Sequence, residues 1–480
     1  MTALWPACFL ALWVGAIPTP ARDQRTPSPQ QPVVTKTVLR ASGPYFVDGQ
    51  GRVVILRGVS LSGGAKVPPF LPLTSVSVLD QLPARGINVI RLVFIWEAFE
   101  PSPGQYDEAY LERMRWITAA AWERGLQVII DIHQDGFSRF VSRGSGDGFP
   151  RWVLSPRSSA TTPDNGPNSK YWPIRMLTDH HTYRCFSDFY ADVAGVRTRY
   201  LLMLQRVASA FAFNPGVIGY EPLNEPWGSE RRDLVPLYRD ACAAIRSVDP
   251  DAILFLQGHF FTNCGLQSRL PCPCFDNVAY APHYYQPATI LREKWSGRTS
   301  TIRRAFAHMQ TKCAEWNAPL LVGEFGVPAN SKCAPEYVDY LHDHLDEALA
   351  SGVQWNYTPT WNPRDKDGWN DEDFNIFSPE GTPRRNYVER PYPQATAGIP
   401  LRFHFQRACA PNGHHVFEFH WNNCPGRGPT EIYVPNTLFP KGSVLTIEGP
   451  GAYCTRLEAR QLVLCHAPNP GIVRVTMISP

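Results

Sequence analysis

The chain has 480 residues, with 46 Lys and Arg against 43 Asp and Glu, and 44% of it is hydrophobic. A formal charge of +3 over that length supplies no long-range field to hold nucleic acid or an anionic membrane. The length exceeds what one small core requires and predicts two domains.

At the N-terminus, Trp5 to Ile17 is a short apolar run followed by the small residues Thr19 and Ala21. The run is shorter than the roughly 20 residues that span a bilayer, so residues 1–21 read as a signal peptide and the product as secreted. Residues 22–37 are rich in Pro, Gln, Thr and Arg and read as a disordered leader. The 12 cysteines include Cys8, which leaves with the signal. The remainder, Cys185, Cys242, Cys264, Cys272, Cys274, Cys313, Cys333, Cys409, Cys424, Cys454 and Cys465, suits an oxidising compartment. Their odd number leaves at least one thiol, and the four beyond residue 400 are expected to pair among themselves. Cys272-Pro-Cys274 has no matching Cys or His pair, so no zinc knuckle is expected.

Tyr45 to Val54 reads as a hairpin, two β-rich runs joined by glycine turns. Short apolar strands and amphipathic helices then alternate. Strands are predicted over 54–60, 88–94, 127–133, 217–223, 252–257, 277–283, 320–325 and 353–357, and helices over 109–124, 196–213, 234–248 and 335–351. Several strands are nearly continuous in apolar residues, as when both faces are buried. Eight such units predict a (β/α)8 barrel over residues 38–390. No GxGxxG follows the first strand, which removes support from a dinucleotide fold. Gly136–Val193 is a long insertion holding Trp152, Tyr171, Trp172 and Phe186, a lid or groove wall. Pro391, Pro393 and Pro400 mark a linker. Short alternating runs over 398–480 predict an antiparallel β-sandwich.

A barrel of this kind builds its active site at the C-terminal strand ends. The polar residues there are Arg91, His133, Asp135, Asn224, Glu225, His283, Tyr285 and Glu324, with Trp355 and Trp361 bracketing the eighth strand. A carboxylate ending an apolar strand is costly without a partner or a task. Glu225 and Glu324, on the fourth and seventh strands, would face each other across the barrel mouth. One protonated and one ionised carboxyl is what glycoside hydrolysis requires. The 14 Trp, 19 Tyr and 25 Phe could stack on sugars or simply fill a large core.

Asn224-Glu225-Pro226 and Gly323-Glu324-Phe325-Gly326 resemble glycoside hydrolase family 5. Finer motifs resemble its endoglycoceramidase subgroup: Arg57-Gly58-Val59-Ser60-Leu61 with Gly63-Gly64-Ala65-Lys66, Asp131-Ile132-His133-Gln134-Asp135, Gly148-Phe149-Pro150-Arg151-Trp152, Pro282-His283-Tyr284-Tyr285 and Gly368-Trp369-Asn370-Asp371. The resemblance implies a retaining enzyme that cuts oligosaccharide from ceramide in glycosphingolipids. Glu225 would be acid/base and Glu324 nucleophile. Asn224 would bind the sugar 2-hydroxyl, Arg91 and Tyr285 would hold Glu324, and His283 and His133 would bind hydroxyls or back the glutamates. Lys66, His133, Asp135 and Trp172 would line sugar subsites, and Trp355 or Trp361 would be the stacking platform. No metal or organic cofactor is implied. The partners expected are the glycosphingolipid and a transient lipid surface or micelle, with the chain itself a monomer. A steryl-β-glucosidase or β-glucanase on the same barrel is the alternative; a non-catalytic binding protein would not need both carboxyls.

Overall fold

The second barrel strand sets the pattern for the fold: every residue of Val89–Ile95 is buried, because sheet neighbours and helices cover both its faces. The structure, a computed structural model, describes residues 39–164, 171–408 and 413–480. The predicted signal peptide and leader, with Cys8 and Cys409, lie outside the described residues.

Eight parallel strands form the barrel, in sequence Arg57–Leu61, Val89–Ile95, Gln127–His133, Val217–Glu221, Ile253–Leu256, Val278–Tyr280 with His283–Tyr284, Leu321–Phe325 and Ser351–Tyr357. Each pairs with its sequence neighbours, and the eighth pairs with the first through Gly352 and Arg57. The sixth strand is broken at Ala281-Pro282, where proline has no N–H to give the ladder. A Tyr280–Leu320 bridge on one side of the break and a His283–Glu324 pair on the other close the ring. This is the predicted (β/α)8 architecture. The outer helices bury one stripe each; in Val196–Phe211 it is Tyr200, Met203, Leu204, Val207, Ala208 and Phe211, at helical spacing.

The N-terminal hairpin plugs the end of the barrel away from the site. Tyr45–Val47 pairs with Val53–Val54, and Asp48 Oδ1 accepts from the backbone N–H groups of Gln50 and Arg52, both at 2.9 Å. Phe46 lies 6.1 Å from the Phe255 ring and packs on the inward residues Val89, Ile129, Ile253 and Leu321.

The C-terminal region has two antiparallel sheets over one aromatic core of Phe403, Phe417, Phe419, Trp421 and Val475. One sheet holds Gly398–Gln406, Val416–Asn423, Gly471–Ile478 and Val444–Glu448. The other joins Tyr392–Thr396, Thr430–Tyr433, Leu462–His466 and Tyr453–Leu457 to the N-terminal hairpin, through Ala395 opposite Val54. The hairpin, read from sequence as the start of the barrel segment, thus hydrogen-bonds to the C-terminal sheet. Cys454 and Cys465 face each other on neighbouring strands, with sulfurs 3.0 Å apart. Arg390 clamps this region to the helix Ala334–Glu347 through Asp339 at 2.6 Å, Asp343 at 2.7 Å and Asp346 at 2.8 Å. Among the described residues no helix is long and apolar enough to cross a membrane.

Phe46→Ala empties the plug. It should cost about 3–5 kcal/mol of unfolding free energy, read by urea denaturation, while the folded variant keeps its site geometry.

Candidate active site

Inward-facing positions at the C-terminal strand ends carry charge in place of the usual branched apolar layer. Arg91 on the second strand has no exposed surface. Its Nε donates to Glu221 Oε2 at 2.7 Å, Nη1 to Glu324 Oε1 at 2.7 Å, and Nη2 to Asn224 Oδ1 at 2.7 Å and Glu221 Oε1 at 3.0 Å. Asp131 Oδ1 lies 3.0 Å from Nη2. One guanidinium therefore ties together the second, third, fourth and seventh strands.

Glu324 is gripped at both oxygens, since the Tyr285 hydroxyl donates to Oε2 at 2.8 Å. Glu225 sits opposite, with φ at +40°, a conformation a non-glycine residue keeps only when its surroundings impose it. Gln134 Nε2 donates to the carbonyls of Asn224 at 2.7 Å and Glu225 at 3.2 Å, and Gln257 Oε1 accepts from the Glu225 N–H at 3.1 Å. His283 joins the two acids. Its Nδ1 is 2.8 Å from Glu225 Oε1 and 3.5 Å from Glu324 Oε2. Carboxylate oxygens of the two glutamates come within 4.8 Å of each other.

Their environments differ. Burial pushes the Glu225 carboxyl well above the ordinary range, and the nearby Glu324 and Asp135 charges push it further. Burial also raises Glu324, but Arg91, His133 and Lys66 all pull it back. Burial, then Arg91, drives His283 well below its usual value, so its imidazole is neutral.

A second charged group lies alongside. Lys66 Nζ is 2.5 Å from Asp135 Oδ2 and 3.7 Å from Asp147 Oδ2, and sits 3.9 Å over the Trp369 ring and 4.6 Å over Trp355. His133 bridges Asp131 at 2.6 Å and Asp135 at 3.4 Å, its ring stacked on Trp355 at 5.6 Å between centroids. Two trios, His133–Asp135–Asp147 and Glu225–His283–Glu324, bring donor atoms within 4.8 Å. Their negative charge is balanced from within, by Lys66 in one and Arg91 in the other.

The cavity over these groups holds about 310 Å³. Lys66, His133, Asp135, Glu225, Tyr285, Glu324, Trp355, Trp369 and Glu372 form its polar side. Pro173, Ile174, Leu177, Phe260, Phe261, Ile290 and Leu291 form an apolar side. Trp172 also lines it, with Nε1 donating to Glu372 Oε1 at 3.3 Å.

Of the residues singled out from sequence, Lys66, His133, Asp135, Trp172, Glu225, Tyr285, Glu324 and Trp355 line the cavity. Arg91, Asn224 and His283 lie directly beneath, each at most 1% exposed. Trp361 is elsewhere: its Nε1 donates to Asp373 at 2.8 Å and its ring lies under Arg384. The sequence motifs contain Glu221, Asp131, Trp369 and Glu372 but gave them no role at the site, and Asp147 and Gln257 were not singled out. The signal for the first two was available, since a charge inside an otherwise apolar strand must have a buried partner. From the insertion, Trp172 reaches the cavity, whereas Phe186 packs in the barrel core and Trp152 against it.

Residues 47–361 match the family model for cellulase (glycosyl hydrolase family 5), and residues 390–477 match the glycoside hydrolase family 5 C-terminal domain. The chain belongs to glycoside hydrolase family 5. It is a glycosidase, with the family's C-terminal domain in place. Among family relatives, endoglycoceramidase I of Rhodococcus hoagii (strain 103S) is 27% identical over 478 residues, covering 94% of this chain and 90% of its own. An endoglycoceramidase of Cyanea nozakii is 25% identical over 416 residues, covering 75% and 77%. Endo-glycoceramidase II from Rhodococcus sp., solved with a five-membered iminocyclitol, superposes with a TM-score of 0.75 at 25% identity, over 91% of this chain and 99% of that one.

His133 gives this family 5 site a measurable pH signature. Burial opposes its charge, but Asp131 and Asp135 outweigh burial and raise it from 6.5 to about 10. The folded state therefore holds the proton more tightly than the unfolded chain. That stability is complete below about pH 6.5 and is lost as pH climbs toward 10. The buried carboxyls of Asp147, raised to about 7, and Glu221, raised to about 8, act in the same direction at lower pH. Denaturation across this range should show stability falling by up to about 1.4 kcal/mol per pH unit for each such group. His133→Gln should flatten the portion above pH 8; an unchanged slope there would assign the decline to another group.

Proposed function

We propose that this chain is a retaining endo-β-glycosidase that hydrolyses the bond between oligosaccharide and ceramide in glycosphingolipids. The observation that carries the reading is the approach of the Glu225 and Glu324 oxygens to within 4.8 Å beside a mostly apolar cavity with charged groups at its floor. Retaining enzymes keep these groups about 5–5.5 Å apart, whereas inverting ones leave about 6.5–9.5 Å for a water. The names of the relatives point to the same aglycone.

In the proposed reaction, ionised Glu324 attacks the anomeric carbon while Glu225 passes its proton to the departing ceramide oxygen. The glycosyl ester on Glu324 is then cleaved by water, whose proton Glu225 takes back. Arg91 and Tyr285 hold the nucleophile's two oxygens. Asn224 serves the 2-hydroxyl, with its side chain already fixed by Arg91. His283 holds Glu225 from behind. Trp355 offers its ring to the sugar face, and Lys66, His133, Asp135 and Trp172 meet hydroxyls. Ile174, Phe261 and Leu291, the last 75% exposed, would face the lipid surface or micelle that presents the substrate. The proposed organisation is a signal peptide over 1–21, a leader over 22–37, a catalytic barrel over 38–390 and a sandwich over 398–480, one of whose sheets also takes in Tyr392–Thr396 and the N-terminal hairpin, in a secreted monomer. Cys454 and Cys465, opposed across two strands, would close a disulfide on export.

Glu324→Gln should abolish turnover of lactosylceramide and of nitrophenyl lactoside alike. Glu225→Gln should slow the ceramide substrate by about 10²–10⁴-fold and the aryl substrate far less, because nitrophenolate leaves without a proton. Rates on the glycolipid should fall at high pH as Glu225 loses its proton and at low pH as Glu324 gains one. Glu225→Gln should keep the acid limb and lose the alkaline one. Equal losses on both substrates would remove Glu225 from the acid/base role. Leu291→Glu should weaken turnover of glycolipid in vesicles more than that of the soluble aryl glycoside.

A further inference from the structure

The apolar side of the cavity contains a polar side chain with no partner. Asn263 lines the cavity and is 4% exposed, yet neither Nδ2 nor Oδ1 of its amide finds a hydrogen bond among the described residues. An amide buried and unpaired is destabilising, and folded proteins retain few of them. The chain around it is held firmly. The Asn263 carbonyl accepts from the Tyr285 N–H at 2.8 Å, two bonded neighbours from the side chain that grips Glu324. Glu230 fixes the flanking loop, accepting from the His259 N–H at 2.9 Å, the Ser268 hydroxyl at 2.7 Å and the Arg269 N–H. The loop therefore presents the amide without adjusting to satisfy it.

Asn263 stands in the short helix Phe260–Cys264, which also supplies Phe260 and Phe261 to the cavity. Cys264, next in the chain, lines the same space, and burial followed by the Glu225 charge pushes its thiol up. Phe260, Phe261 and Leu291 make the rest of that wall apolar. A ligand group that belongs there is greasy, with one amide-like polar point close to the bond that breaks.

We infer that Asn263 recognises the amide of the ceramide aglycone, with Oδ1 accepting from its N–H and Nδ2 donating to its carbonyl or neighbouring hydroxyl. This rests on the glycosphingolipid reading above. Ceramide carries its nitrogen on the carbon adjacent to the one bearing the glycosidic oxygen, so the amide must lie beside Glu225. Glu225 and Asn263 line one cavity, and a turn about the Asn263 side-chain bonds, of the kind common on ligand binding, would bring its amide to the ligand's. A sterol or simple alkyl aglycone has no such group and would leave Asn263 unpaired, which makes this residue a specificity determinant rather than a catalytic one.

The test compares kcat/KM on lactosylceramide, on a dialkylglycerol lactoside that lacks the amide, and on nitrophenyl lactoside. Wild type should prefer the ceramide over the amide-free lipid by about 10- to 100-fold. Asn263→Leu, or Asn263→Ala should the larger side chain prevent folding, should bring that ratio close to one, with nitrophenyl lactoside turnover identifying folded protein. A wild-type ratio near one overturns the inference without any variant. A ratio that survives in the variant overturns it too, and leaves the glycosphingolipid reading standing. Wild type that cleaves nitrophenyl lactoside but neither lipid overturns the substrate reading itself.

Discussion

One buried guanidinium organises the mouth of the barrel. Arg91 has no contact with solvent and meets Asp131, Glu221, Asn224 and Glu324. Burying so many charges is unfavourable unless each is paired in good geometry. A planar fork with several N–H groups can serve them together; an ammonium of similar charge could not. The same contacts that hold four strands in place also hold Glu324, the proposed nucleophile. Stability and chemistry are thus coupled at Arg91, and truncating it would strand carboxylates that burial already disfavours. Glu221 illustrates the balance: burial raises it to about 8 even with Arg91 in contact.

From that charge follows the proposed division of labour between the two glutamates. Arg91 spends one N–H on Glu324 and none on Glu225. Glu225 instead faces His283, which burial and nearby cations keep neutral. Gln257 Nε2 lies 3.0 Å from His283 Nε2 and also donates to Glu221. An amide nitrogen cannot accept, so His283 Nε2 must, and the imidazole proton sits on Nδ1, aimed at Glu225 Oε1. That oxygen accepts, which leaves Oε2 to carry the carboxyl proton when Glu225 is protonated. A chain of Glu221, Gln257, His283 and Glu225 so fixes which oxygen would donate in the proposed acid role, although only one of the four touches the cavity.

Much of this was legible in the sequence, for a physical reason. A strand buried on both faces admits no idle charge, so Glu225 and Glu324 stood out at the ends of apolar runs, and the alternation of strands and helices gave the barrel. What escaped notice depended on long-range pairing. Glu221 and Asp131 lie inside strands rather than at their ends, and only the fold reveals that one arginine serves both. The N-terminal hairpin was recognisable as a hairpin, but its pairing with a strand some 340 residues later has no local signal. Trp355 and Trp361 could not be separated because the strand's end was uncertain; it stops at Tyr357, which leaves Trp361 beyond it against Arg384. Asn263 sits in the 3-10 helix Phe260–Cys264, too short to show a periodic pattern, and its interest lies in a missing partner, which no sequence displays.

Chemistry and specificity therefore occupy different levels of the molecule. The acids, Arg91 and His283 stand on strands or directly at their ends, where small displacements are resisted by the whole sheet. The apolar side of the cavity comes from short helices between the strands: Ile174 and Leu177 from Trp172–Thr178 in the insertion after the third, Phe260 and Asn263 from Phe260–Cys264 after the fifth, and Leu291 from Pro287–Arg292 after the sixth. Trp172 and Glu372, from loops after the third and eighth strands, meet by a hydrogen bond at the cavity wall. None of these side chains touches Arg91; their tie to the central charges is the Asn263 carbonyl, which accepts from the Tyr285 N–H. A single barrel family can then keep one hydrolytic arrangement while its loops choose between a polysaccharide, which needs a polar cleft, and a lipid glycoside, which needs a greasy wall with a polar point beside the acid. In this chain the greasy wall and its unpaired amide are both present.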